Sequence, residues 1–271
     1  MTAYGVDSPA ILGALEIGVF LNLVIFGVVA FQGRLYFQNC PDKVGLKLLV
    51  GSILFFELCH SVASCHAIYF LTVTLAGIPE QQKLANSYSL ALLFVFEPLV
   101  TGLVQGFFAC RVWLLSGRTH ISLICWGLCL LRFVGGVAMA VEAFLNVPLE
   151  LDYFHLQDAY GWLITSTLTF NAVLDVLMAV SLGFYIRQLY TSYDLPRSEE
   201  LMHRRAAFTI QTRLITSLTS IVIVIFLQSM KHNLIWLALY IVLPKLYSNS
   251  LLVSLSARPR NRNTVRALLG Y

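Results

Sequence analysis

Long apolar runs, separated by short polar stretches, set the pattern of this chain from end to end. A bilayer core of about 30 Å needs about 20 apolar residues per spanning helix. Seven runs reach that length, roughly over residues 10–32, 48–71, 87–115, 121–145, 160–186, 208–230 and 233–256. They are continuous, whereas the strands of a membrane barrel alternate apolar and polar positions over about 10 residues. Within hydrocarbon a continuous run satisfies its own backbone hydrogen bonds only as a helix. The predicted fold is therefore all-α: an integral membrane bundle of seven transmembrane helices over residues 1–257, followed by a short basic tail over 258–271.

Composition supports that class. Of 271 residues, 58% are hydrophobic and 12% charged, with a mean hydropathy of +0.77, which is too apolar for an ordinary soluble domain. The spans take up nearly the whole length, leaving no room for a soluble domain, and neither low-complexity segments nor an internal repeat stand out. The opening "MTAYGVDSPA" lacks the basic n-region of a cleaved signal peptide, so the first helix is expected to act as an uncleaved insertion signal and Met1 to be retained.

Charge adds an orientation. With the N-terminus outside and the C-terminus cytoplasmic, Arg34, Lys43, Lys47, Arg111, Arg118, Arg187, Arg197, Arg204, Arg205, Arg258, Arg260, Arg262 and Arg266 all fall on the inner side, against only Lys83 and Lys231 on the outer. The net charge of +4 is then a topological bias and calls for no nucleic acid. The expected setting is the plasma membrane or the endoplasmic reticulum, with the lipid bilayer as partner and anionic inner-leaflet lipids at the arginine tail. Cys40 and Cys110 fall toward the inner side and Cys59, Cys65, Cys125 and Cys129 within spans, so no disulfide framework is expected.

The candidate chemistry lies inside the spans. Lys245 is about 13 residues from Arg258, which at about 1.5 Å per residue sets it near mid-membrane. A charge there costs about 2.5–3.5 kcal/mol and must face the bundle. Glu57, Glu97 and Asp175 lie at similar depth, with Arg132; Glu16 and Glu142 lie nearer the outer face. Three acids against two bases predicts one acid without a cationic partner, and Lys245 is expected to pair with Glu57 or Glu97.

Helical spacing groups these residues. Glu97, Thr101 and Gln105 recur at every fourth position, with Pro98 loosening the turn; Glu57, His60, Ser61 and Ser64 make a stripe on the second span. Thr167, Asn171 and Asp175 repeat it on the fifth, and Lys245 aligns with Ser248, Asn249 and Ser256 on the seventh. Single Ser, Thr, Asn or Gln residues in such stripes serve to hold helices together. The ionisable groups instead suggest a polar pocket, lined by Glu57, His60, Glu97, Thr101, Gln105, Asn171, Asp175, Lys245 and Asn249. His60 itself reads as a satisfied core residue. Glu57, His60 and His66 do not share one helix face and no Cys/His quartet is present, so neither a metal site nor a cofactor is expected.

The stretches "VQGFFACRVWLLSG" (104–117) and "KLYSNSLLVSLSAR" (245–258) resemble a large fungal, mainly basidiomycete, family of seven-helix membrane proteins catalogued as a domain of unknown function. "FQGRLYF", "ELCHSVASCHAIYF" and "LDVLMAVSL" fit it as well, so the resemblance runs along most of the chain. The family usually reads Ser-Leu-Asn-x-Arg near its end where this chain has Ser254, Leu255, Ser256, Ala257 and Arg258, and Glu57 stands where an Asp is common. The resemblance implies architecture and a fungal origin and names no reaction.

Three functional classes follow from the site. A receptor-like or sensory protein would hold a small lipophilic ligand in the polar pocket. An intramembrane enzyme, comparable to seven-helix terpene cyclases, would use Glu57, Glu97 and Asp175 as acid catalysts in a cyclisation or isomerisation. A proton-linked transporter would need broken helices, and only Pro98 and Pro244 interrupt spans. The sensory reading is preferred, with the enzyme as its first alternative.

Overall fold

The computed structural model describes residues 8–75, 87–116, 119–147, 153–192, 199–229 and 235–256. Seven helices run through them: α1 Ser8–Asn39, α2 Val44–Tyr69 with one π-helical turn over Phe70–Thr74, α3 Tyr88–Ser116, α4 Thr119–Asn146, α5 Tyr153–Ser192, α6 Glu199–Ser229 and α7 Ile235–Ser256. Each contains a stretch long and apolar enough to cross a membrane, and no strand occurs among the described residues. The protein is an integral, multi-pass, all-α membrane protein. The predicted tail, 258–271, lies outside the described residues.

The ends of the helices follow from local chemistry. Pro41 cannot continue α1 because it lacks an N–H, and the chain turns between Asn39 and Val44 with Cys40 N–H on Tyr36 O at 2.9 Å and the Tyr36 hydroxyl donating to Asp42 at 2.9 Å. The sequence predicts a basic inner loop from Arg187 to Arg205; instead α5 continues to Ser192 and α6 begins at Glu199. Helix geometry does not stop at the membrane edge, and "EELMHRRAAF" consists mostly of good helix formers. At about 1.5 Å per residue, the 40 residues of α5 exceed the hydrocarbon thickness of about 30 Å.

Neighbours in sequence are neighbours in space from α1 to α7, and α7 closes the ring against α1; α3 and α7 also touch each other across it. As a result α7 meets α1, α2, α3 and α6, and it is buried almost all round, from Trp236 to Leu255. The outer helices show the opposite pattern: Phe20, Val24, Leu123, Leu130 and Val180 are exposed, as lipid-facing side chains should be.

Glycines let several pairs of helices approach closely. A Cβ on Gly18 of α1 would stand 2.9 Å from both Cβ and the carbonyl oxygen of Ala238 on α7. On α4, a Cβ on Gly135 would stand 2.5 Å from Thr167 Oγ1 of α5, and one on Gly136 2.7 Å from Pro98 Cβ of α3. Small residues at such crossings let membrane helices gain van der Waals contact where lipid offers no hydrophobic driving force.

Candidate functional site

Pro244 lies inside α7 without ending it, and Lys245 follows it, fully buried. The Lys245 ammonium pairs with the Glu57 carboxylate, donates to the Glu57 backbone carbonyl at 3.1 Å, and stands 3.4 Å from His60 Nδ1 and 5.5 Å from the centre of the Phe26 ring. The second Glu57 oxygen accepts from the Ser248 hydroxyl. Lys245 and Ser248 sit one turn apart and so share a face. Of the two partners expected for the lysine, the structure supplies Glu57.

Glu97 has its own cation. Arg132 of α4 pairs with one carboxylate oxygen, which also accepts from the Thr101 hydroxyl at 3.2 Å. The other oxygen accepts from the Tyr240 hydroxyl of α7 at 3.0 Å. This second cluster joins α3, α4 and α7.

The third cluster centres on Asp175 of α5. One carboxylate oxygen accepts from Arg213 Nη2 at 3.3 Å and from Gln105 Nε2 at 3.3 Å. The other accepts from Ser220 Oγ at 3.1 Å and from the Tyr247 hydroxyl. Asn171 completes the group: its amide donates to Ser220 Oγ and to the Tyr247 hydroxyl, each at 3.0 Å, and its oxygen accepts from Gln105 at 2.9 Å. The Arg213 guanidinium lies over the Phe108 ring at 4.5 Å, so it gains a cation–π contact in a dry interior, where that is strongest.

Arg213 changes the charge tally. The expected surplus of one acid is absent, because Glu57, Glu97 and Asp175 each have one cationic partner. Sequence reasoning left Arg213 out although it was legible: Arg213, Thr216, Ser217 and Ser220 stand at i, i+3, i+4 and i+7, a polar stripe on one helix face, and all four are buried. Tyr240 and Tyr247 were also missed, since aromatic residues in a span read as packing until a partner is visible. Asn22, which donates to Ser64 at 3.1 Å, is a further such residue.

The remaining expected residues separate. Thr101 and Gln105 belong to the second and third clusters respectively. Asn249 turns away to α1, accepting from Gln32 at 2.8 Å, and Ser256 is exposed. His60 is fully buried with Nε2 lacking a partner among the described residues. What was read as one polar pocket is three packed clusters, which reach α7 at different heights and on two of its faces. An apolar cavity of about 380 Å³ lies apart from them, between α3 and α4.

A ring of seven apolar helices around an ion-paired polar interior makes this a polytopic helical membrane protein. Residues 171–260 match a family of unknown function, DUF6534; that stretch carries Asn171, Asp175, Arg213, Ser220, Lys245 and Tyr247. Over 61 residues the chain is 36% identical to the uncharacterized membrane protein C688.16 of Schizosaccharomyces pombe, covering 22% of this chain and 54% of that protein, so the alignment spans about half of the relative's length. A family of unknown function and a fungal relative are what the resemblance in the sequence implied. No solved structure matches the chain.

Proposed function

We propose that the protein is receptor-like or sensory: a bundle that responds to a small lipophilic molecule by shifting the pairing of charges around α7. The observation that supports this most is that all three buried clusters reach the same helix, through Tyr240, Lys245 with Ser248, and Tyr247. Removing one partner from a buried ion pair costs about 3–5 kcal/mol, so such pairs favour a few discrete arrangements over graded ones. A helix clamped at three depths to α2, α3 and α5 passes a displacement at one clamp to the others. With the N-terminus outside, as the basic residues favour, the projecting ends of α5 and α6 lie in the cytosol, where a displacement can be read.

The alternatives gain less support. Acid catalysis needs a carboxyl that can deliver a proton to substrate, whereas Glu57, Glu97 and Asp175 are enclosed by cations and hydroxyl donors and none of them lines the α3–α4 cavity. For transport, paired discontinuous helices at mid-membrane would be the favourable sign, and here α3 and α7 continue through Pro98 and Pro244.

The test uses the full chain in liposomes, with native cysteines replaced by alanine and spin labels on Gln211→Cys of α6 and Trp113→Cys of α3, both exposed positions. Asp175→Asn and Lys245→Met are each expected to add a second interspin distance absent from the parent, with proton flux no greater than in empty liposomes. One unchanged distance in every variant, together with a proton flux that Glu57→Gln abolishes, replaces sensing by proton-linked transport.

A further inference from the structure

The cavity between α3 and α4 has no polar wall. Val95, Pro98 and Leu99 on α3 face Ala140, Val141 and Phe144 on α4, within a volume of about 380 Å³, inside the range of about 300–1,000 Å³ usual for small-molecule sites. Its rim residues Val137, Val141 and Leu145 are 42%, 50% and 61% exposed on the lipid-facing surface. The mouth therefore opens sideways into hydrocarbon. Residues 95–99 lie seven to eleven positions along α3 from Tyr88, about 10–16 Å from that end at the helical rise. A charged or strongly hydrated group would find neither water nor a hydrogen-bond partner there.

We infer that this groove binds a rigid, ring-bearing apolar molecule that reaches it through the bilayer, of the sterol class. Burial of apolar area alone selects nothing here, because the competing lipid chains are as apolar as the groove. Selection must come from shape and preorganisation: a flexible acyl chain loses conformational freedom on being held, while a fused ring system has little to lose. The rings of Pro98 and Phe144 provide walls against which a flat ring system packs.

The groove also connects to the polar interior. Pro98 meets Gly136 so closely that a Cβ on Gly136 would come within 2.7 Å of it. Glu97, the residue before Pro98, holds Arg132, one turn from Gly136 on α4. Prying α3 from α4 at the groove thus acts on both members of that pair. On the far side Gly135 abuts Thr167, so α4 has little room to retreat toward α5. This coupling rests on the sensory reading above; occupancy of the groove does not.

A sterol bearing a photoreactive diazirine on its ring system, added to the full chain in phosphatidylcholine vesicles, is expected to label peptides of α3 and α4. Excess unlabelled sterol should suppress that labelling. Val141→Trp fills the groove from its lipid-facing rim, where the fold tolerates bulk, and should lower labelling about tenfold; an unchanged detergent melt shows that this variant is folded. Labelling that does not saturate, that survives Val141→Trp, or that a phosphatidylcholine with an acyl-chain diazirine matches at the same residues means the groove holds bilayer lipid only, and overturns the site. Saturable labelling without any change in the α3–α6 distance keeps the site and removes the sensory reading. Absent labelling beside a distance change in the ion-pair variants keeps the sensory reading and removes the site.

Discussion

Lys245 meets Glu57 while Tyr240 and Tyr247 meet Glu97 and Asp175 because of where each falls around α7. Seven residues make nearly two turns at 3.6 residues per turn, so the two tyrosines share a face; Lys245, five residues from Tyr240, points about 140° away from it. The residue-level expectation is specific. Lys245→Met strands the Glu57 carboxylate and should cost about 3–5 kcal/mol, measured by unfolding in detergent. Adding Glu57→Gln to that variant should recover much of the loss, whereas adding Glu97→Gln should not, since Glu97 has Arg132. Equal recovery by both would mean that the lysine has no fixed partner. Tyr247→Phe removes a hydroxyl that donates to a buried carboxylate and is expected to lower stability by about 1.5–3 kcal/mol, with smaller further loss when Asp175→Asn is already present. Additive losses would separate the two residues energetically.

At the scale of elements, the polar content of α7 reflects its position. It is flanked by α1, α2, α3 and α6, so Asn249, Lys245, Tyr240 and Ser250 each meet a different neighbour, and no single polar stripe forms. Its contact with α1 relies on Gly18. Gly18→Ala would press a methyl group on Ala238 Cβ and on the carbonyl oxygen, and backbone cannot swing aside as a side chain does. A loss of about 1–3 kcal/mol is expected. Gly27, on the same helix, has open space where its Cβ would be, and Gly27→Ala should leave the melt unchanged or raise it slightly by favouring the helix. Equal effects at both positions would count against the close α1–α7 crossing.

For the whole molecule, the charge distribution predicts the orientation. A reporter fused after Tyr271 is expected in the cytosol, and a cysteine at Lys83 should react with an impermeant thiol reagent from outside; a lumenal reporter signal would invert the map. The tail arginines Arg258, Arg260, Arg262 and Arg266 are expected to contribute about 1 kcal/mol each on an anionic surface. Replacing all four by Gln should weaken association of the tail peptide with anionic liposomes at low salt. Unchanged binding would remove the anionic lipids as partners.

The sequence by itself determined the class and the number of spans, because a bilayer demands about 20 apolar residues per helix and a continuous apolar run pairs its own backbone there only as a helix. It also marked Glu57, Glu97, Asp175, Arg132 and Lys245, since a charge at that depth is costly and must face inward. Helical spacing put Glu97 with Thr101, and Asn171 with Asp175, because residues on one helix carry their geometry with them. Partners across the bundle were decided only by the tertiary structure. Which carboxylate Lys245 meets depends on how far α7 is turned, a rotation set by Gly18 against Ala238 and by four neighbouring helices at once. Arg213 falls within the predicted sixth span, but only the packing of α6 against α5 shows that it stands beside Asp175. The α3–α4 groove left no periodic signal at all, because an apolar residue lining a cavity and one facing lipid obey the same rule of composition.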